Sequence, residues 1–388
     1  MKRAPRHQLN VMARKRILFV TGPGYGHCLP IIPLAWALKA AGHQVVIGTC
    51  GVSVGLAVRA GLMTVNVAPQ ADLPAVFKRH QKSFHEPDPN PDCRDPKTIL
   101  SGDNVFTVVG GLMIPGIHRL IERWRPHLII HTPHATAAPV VASKLGIPFI
   151  FHSMGIAHTP DSMWGSYSHT HKIAGYDTTL LRPVTWIDFA PPDLRPQSLG
   201  GILMRYIPYQ GTELTDLSFF EQPISDSITV TFGTVVPLVA GLDRMRRMIE
   251  ILKNVDAHFQ VLHCSSDGKN LEPLPPNISA HNWIPMEKAL MRSRALIHHG
   301  GAGVLFAGLD AGLPQLIMPC GADQHYNAEA LRRRQAAIVV ETGLPDEETV
   351  RRLLYDVDLK ERIGKLRDEL HSMPSPTEMA PAIAALAQ

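Results

Sequence analysis

The chain has 388 residues, 45% of them hydrophobic and 19% charged, with a formal net charge of +4. That length sets a prior of two domains, and the apolar share is enough for two ordinary cores. The charge balance is too mild for a nucleic-acid binder, and no dense basic run with interleaved aromatics occurs, so nucleic acid is not expected as a partner.

In chain order, residues 1–15 are basic but lack the apolar core of a signal peptide, and read as a disordered extension. No apolar run reaches the length expected of a membrane span, so no membrane partner is expected. Lys15 to Val20 reads as a first strand, Thr21 to His27 as the loop after it, Ile31 to Ala41 as a helix ended by Gly42, and Gln44 to Ile47 as a second strand. This βαβ unit predicts a parallel sheet. The pattern returns with a strand at His127–Ile130, a helix at Ala135–Leu145 and a strand at Pro148–Phe151. Residues 72–103 and 161–208 read as long loops or loop-helix insertions, the kind that carry function at the carboxyl ends of parallel strands. A linker is placed at 209–225. A second α/β series then runs through strands at Ser227–Phe232, His258–His263, His281–Ile284, Ala295–His298 and Leu316–Met318, with helices at Leu242–Asn254, Met286–Arg292, Val304–Ala311 and Ala328–Gln335. The fold class is α/β, with two doubly wound domains in series.

Twenty histidines are scattered along the chain, with no spacing that organises them into a metal site. The five cysteines (Cys28, Cys50, Cys93, Cys264 and Cys320) are odd in number and widely spaced, as reduced thiols of a cytoplasmic protein would be. Gly22 to His27 is not the dinucleotide fingerprint, because His27 holds the place of the sixth residue, a glycine there. It reads either as a tight βα turn or as a loop that projects His27 into a crevice, where an imidazole suits general-base work. Thr231-Phe232-Gly233-Thr234 is a small turn with a hydroxyl for a phosphate, or simply a turn. Trp283, followed by Ile284, puts an indole at a strand end, either in a core or against a flat base. The strongest signal is His298-His299-Gly300-Gly301-Ala302-Gly303, followed by Asp323-Gln324. A strand entering a helix through small residues brings unpaired N–H groups to an anion, and a carboxylate beside an amide suits sugar hydroxyls. Asp356-Val357-Asp358 reads as a solvated helix face. No Gly-x-Ser-x-Gly and no P-loop occurs.

Together, Gly22 to His27, Trp283-Ile284-Pro285, His298 to Gly303 and Asp323-Gln324 resemble inverting glycosyltransferases of the GT-B fold. The chain looks most like the bacterial enzymes that decorate polyketide and related antibiotics with deoxysugars. Phe189 to Pro196 and Met204 to Tyr209 add local matches. The resemblance implies two Rossmann-like domains facing across a cleft. The acceptor-binding one spans 16–208 and the nucleotide-sugar-binding one 226–372, and residues 373–388 return as a helix to the first. It implies that Trp283 and Ile284 hold the base. Gly233, Thr234, His298, His299, Gly300, Gly301 and Gly303 would hold the diphosphate, and Asp323 and Gln324 the sugar. His27 would be the base, and His298 or His299 would protonate the leaving group or only stabilise its charge. Phe84, Met113, Met154 and Trp164 are apolar candidates for the acceptor surface.

Three departures stand out. Val304 replaces a frequent hydroxyl residue, and His325 a frequent aromatic. The stretch His131-Thr132-Pro133-His134 lacks the acid that orients the base in many relatives, so either His27 acts without an aspartate or another carboxylate, such as Asp161 or Asp188, supplies it.

The expected reaction is inverting, metal-independent transfer of a deoxyhexose from a dTDP-sugar to an aromatic polyketide or related aglycone. No cofactor is expected. Partly cationic His298 and His299 would stand where other transferases use a divalent ion. The alternatives are a GT-B-like nucleotide-sugar epimerase and a non-catalytic donor-binding auxiliary of a partner transferase. A homodimer is left open.

Overall fold

Ile17 to Val20 are all buried, and their side chains alternate between two cores. Ile17 and Phe19 face one, Leu18 and Val20 the other. A strand buried on both faces belongs at the middle of a parallel sheet with helices on each side. The computed structural model describes residues 13–80, 104–195, 200–211, 214, 217, 227–234, 242–263 and 271–387.

The first domain contains β1 (Arg16–Val20), α1 (Tyr25–Cys28), α2 (Ile32–Ala40), β2 (Gln44–Thr49), α3 (Val52–Arg59), β3 (Met63–Asn66) and α4 (Leu73–Arg79). It continues through α5 (Val105–Trp124), β4 (Leu128–His131), α6 (Ala137–Leu145), β5 (Phe149–His152), α7 (Trp164–Ala174), β6 (Thr185–Asp188) and β7 (Ile202–Leu203). Its sheet is parallel in the order β3-β2-β1-β4-β5-β6-β7. The second domain begins with β8 (Ser227–Thr231), α8 (Asp243–Leu252), β9 (His258–Leu262), β10 (Ile278–His281), α9 (Met286–Leu290) and β11 (Ser293–His298). Next come α10 (Ala302–Asp310), β12 (Gln315–Ile317), α11 (Gln324–Arg333), β13 (Ile338–Val339), α12 (Glu347–Tyr355), α13 (Val357–Ser372) and α14 (Pro376–Ala385). Its sheet, also parallel, runs β10-β9-β8-β11-β12-β13.

In each sheet the strand order reverses beside the first strand, between β1 and β4 and again between β8 and β11. Loops leaving such a pair diverge and open a crevice at the carboxyl ends. His27 follows β1, His134 follows β4, Gly233 follows β8 and the His-His-Gly-Gly turn follows β11.

Several expectations change. The strand expected at His281–Ile284 lies earlier, at Ile278–His281. Asn282 to Pro285 leave the sheet, because Pro285 has no N–H to give a ladder and serves as the N-cap of α9. The stretch 161–208 holds two strands, β6 and β7, beyond the loop and helix α7 that a loop-helix insertion allows. Asp356 is no merely solvated position, since its carboxylate accepts from Leu359 N at 2.9 Å and caps α13.

The helix α5 had no counterpart in the sequence reading. It is long and apolar enough to cross a membrane by length and composition, against the expectation that no run is. It packs as a core helix: Val109, Met113, Ile117 and Ile121 recur at every fourth residue and are buried against β1 and β4. Met113 is therefore core and not acceptor surface. Trp164 packs beside Phe151, Met163 and Tyr167, with the Arg182 guanidinium 3.7 Å over its ring. Met154 is 9% exposed, too little for a broad docking surface. Phe84 and the extension 1–12 lie outside the described residues.

The two domains share apolar contacts. Phe189 and Tyr206 meet Phe306 of α10 with ring centroids at 5.0 and 5.3 Å. From the far end of the chain, Ala380, Ile383 and Ala384 of α14 pack into the first domain's core against α2. Met113→Ala should lower stability by about 2–5 kcal/mol in denaturant unfolding and leave nucleotide affinity unchanged. A stability within error of the parent would contradict the core assignment.

Candidate active site

The site is built from loops at the two crevices. On the first, Gly24 starts α1, and its main chain is pinned on both sides. Its N–H donates to Ser53 Oγ at 2.9 Å, and its carbonyl accepts from Cys28 N at 3.2 Å. Thr21 Oγ1 donates to His27 O at 2.7 Å. These bonds set His27 half-buried with its Nδ1 enclosed and unpartnered. Burial, with a smaller contribution from His158, pushes the His27 imidazole down to about 3. It is neutral at working pH and has a lone pair to offer.

Two further histidines surround it, neither of them marked out by the sequence. His134 meets His27 edge-on at 5.0 Å, and His158 meets His134 edge-on at 5.2 Å. Phe106 stacks on His134 at 4.0 Å and lies 5.1 Å from His27. Neither substitute acid reaches this group. Asp161 is paired with Arg182 Nη1 at 2.7 Å, and Asp188 with Arg195 Nε at 2.9 Å.

On the second crevice, the two adjacent histidines part company. His298 is fully buried; its Nδ1 accepts from Gly300 N at 3.1 Å, and its Nε2 donates to Gln315 Oε1 at 2.9 Å. Both ring nitrogens are spent inside the protein, so His298 shapes the turn and does not reach a diphosphate. This corrects its expected role. His299 instead lies over the turn after β8: a Cβ built on Gly233 would fall 2.6 Å from its Cε1. Neither histidine is cationic in the unliganded protein. Burial holds His298 at about 3 and His299 at about 4, and for His299 the opposing pull of Asp323 is smaller.

Gly300 has φ +88°, and a Cβ there would lie 2.9 Å from Ile317, so the turn needs glycine. Gly301 is the N-cap of α10 and makes no side-chain cap bond, so the first N–H groups of α10, including that of Gly303, have no side-chain cap. The linker-side residue Gln210 donates to Gly303 O at 3.2 Å. Val304 packs toward Leu262 and Leu296 and brings no hydroxyl.

Asp323 and Gln324 start α11. Gln324 Oε1 accepts from Cys320 N at 2.8 Å. Asn327, wholly buried, donates to Gly300 O at 3.1 Å and to Asp323 Oδ2 at 2.9 Å, tying the turn to the carboxylate. Sequence reasoning passed over Asn327, although its place one helical turn after Asp323 puts both on one face. His325 pairs instead with Glu341 at 3.6 Å.

The indole of Trp283 lies 4.9 Å from the Tyr25 ring of α1, across the seam between domains. Ile284 packs toward Met286 and Leu290. Thr234 is half-buried beside Gly233. The domains close tightly on one another: a Cβ on Gly155, in the loop after β5, would fall 2.8 Å from Ala302 Cβ and 3.6 Å from Asp323 Oδ2. The structure thus brings His27, His134 and His158 of one domain to His299, α10 and Asp323 of the other.

The chain matches both halves of one family. Residues 36–233 match the N-terminal domain of the erythromycin biosynthesis protein CIII-like family, and residues 246–386 match its C-terminal domain. It is 31% identical to the elloramycin glycosyltransferase ElmGT of Streptomyces olivaceus over 94% of this chain and 96% of that one. The glycosyltransferase SnogD of Streptomyces nogalater superposes with a TM-score of 0.81 at 30% identity, over 97% of this chain and 100% of that one. The Streptomyces glycosyltransferase SsfS6, solved with thymidine diphosphate, gives 0.72 at 25% identity over 96% and 100%. Two parallel-sheet domains with a histidine-lined cleft, matched by family and by structure along nearly the whole chain, place the protein: it belongs to the erythromycin biosynthesis protein CIII-like family and is a GT-B glycosyltransferase of the kind that attaches deoxysugars to antibiotic polyketides.

Proposed function

We propose that the protein transfers a deoxyhexose from a dTDP-sugar to a hydroxyl or activated ring carbon of an aromatic polyketide aglycone, with inversion and without a metal. The observation that carries this reading is the pairing across one closed seam of a neutral, lone-pair-bearing His27 with the uncapped N-terminus of α10. Relatives in antibiotic biosynthesis and a neighbour solved with thymidine diphosphate support the donor class.

His27 takes the acceptor proton as the acceptor attacks the anomeric carbon, and the bond to the diphosphate breaks in the same displacement. Charge develops on the leaving diphosphate. The N–H groups at Gly301 to Gly303, the helix dipole of α10 and the Gly233-Thr234 turn are fixed before the reaction, so they stabilise that charge without reorganising. His299, neutral in the free protein, gains basicity beside a dianion and donates to it. Asp323, held by Asn327, and Gln324 face the sugar. Trp283 and Ile284 serve the thymine.

Calorimetric titration without added metal should show saturable dTDP binding, tighter than UDP, and no NADH signal. No nucleotide binding by a folded sample would sink the transferase mechanism. His27→Ala should cut kcat by on the order of a hundredfold or more with dTDP affinity kept, and full activity in that variant would remove His27 as base. Because burial lowers the His27 pKa, kcat/KM should fall on the acid side only well below pH 6.5, where the free imidazole titrates. An acid limb centred at or above 6.5 would contradict the buried, neutral state. Asn327→Ala should weaken dTDP-sugar binding roughly tenfold and cost about 1–3 kcal/mol of stability. Unchanged donor affinity would show that the Gly300 turn does not need it.

A further inference from the structure

His27 lacks a carboxylate partner among the described residues, and the two acids expected to replace one are committed to Arg182 and Arg195. What surrounds it is a row of rings. His134, on the loop after β4, is 7% exposed, and His158, on the loop after β5, is 2% exposed. His134 Nδ1 and both ring nitrogens of His158 are buried with no hydrogen-bond partner. Each unmade bond of a buried polar atom costs about 1–3 kcal/mol, and three such atoms at one crevice call for a functional reason. The row does not end blindly. Gly155 brings the His158 loop against Asp323 of the second domain, and the Asp323 charge acts on His158.

We propose that His134 and His158 are positioning residues for His27, the packed imidazole row holding its ring in place of an orienting carboxylate. This rests on the reading of His27 as the base. The acceptor proton moves to the free nitrogen of His27, which becomes an imidazolium, while the acceptor's electron pair forms the glycosidic bond and the diphosphate leaves with the old one. No proton crosses the row during that step. His134 meets the His27 ring edge-on at 5.0 Å and Phe106 lies 5.1 Å from it, so the two rings limit how the imidazole can turn as it takes the proton. The proton leaves to solvent after product release.

The groups facing His27 are His134 and His158 from the β4 and β5 loops, Phe106 from α5, and Asp323 beyond His158 from α11. On its own helix, the Cys28 thiol is pushed up to about 12 by burial and stays uncharged. The coupling has a sign. Burial lowers the His158 pKa, with Asp323 opposing that more weakly, and a proton on His158 opposes one on His27. Removing His158 lets His27 protonate at higher pH.

The test compares pH profiles of kcat, donor KM and dTDP affinity in the full-length protein, His27→Ala, His134→Gln and His158→Gln. The two glutamine variants should lose on the order of tenfold in kcat while donor KM and dTDP affinity stay within about twofold. The acid limb of His158→Gln should move to higher pH. Where a glutamine variant melts below the assay temperature, His158→Asn gives the same readings. If His27→Ala loses transfer but the glutamine variants keep the parent kcat and acid limb, this proposal alone falls. If His27→Ala retains full transfer, the base reading falls and takes this one with it.

Discussion

A parallel strand pair whose chains turn away to opposite sides of the sheet cannot cover the gap beyond its own carboxyl ends. That constraint holds at β1 beside β4 and again at β8 beside β11, and the rest of the site follows from it. The first gap receives the imidazoles of His27 and His134. The second receives the Gly233 turn and the turn into α10. Each set alone is a polar notch in an apolar domain. Facing each other, they bring the half-buried imidazole of His27 and the first N–H groups of α10 to the two sides of one seam.

The closing surface shows how closely the two notches fit. Gly155 touches Ala302, Tyr25 lies against Trp283, and Phe189 and Tyr206 fill the seam beside Phe306. Tyr25 and His27 share the single turn of α1. The Tyr25 ring, which lies against the second domain's Trp283, therefore sits two residues from His27. Contacts of this kind fix distances between domains better than either core can, because the turn has almost no internal freedom.

Much of this was legible in the sequence. The apolar run up to His298 and the small residues after it announced a strand that enters a helix through a glycine turn, and β11 and α10 are joined that way. The periodicity could not show which histidine points inward. β11 ends at His298, so His298 stays in the sheet while His299 already belongs to the turn. Met113 shows a second kind of miss. Its spacing of four from Val109 and Ile117 marks a buried helix face, but Gly110, Gly111 and Pro115 obscured the helix itself. The grouping of His134 and His158 with Asp323 lay beyond reach for a different reason. They are far apart in the chain, and only the order of strands and the closing of one domain on the other bring them together.

One contact near the chain's end bears on motion. The outgoing segment after β7 and the returning segment before α14 run side by side, with Arg205 N donating to Pro374 O at 2.7 Å and the Arg205 guanidinium reaching His371 O at 3.3 Å. The polypeptide thus passes between the domains at places stitched to each other. Two tethers at separate points would let the halves slide or twist. A doubled tether at one place is the geometry of a door hinge: of the ways the halves could separate, it leaves swinging about that edge the least opposed.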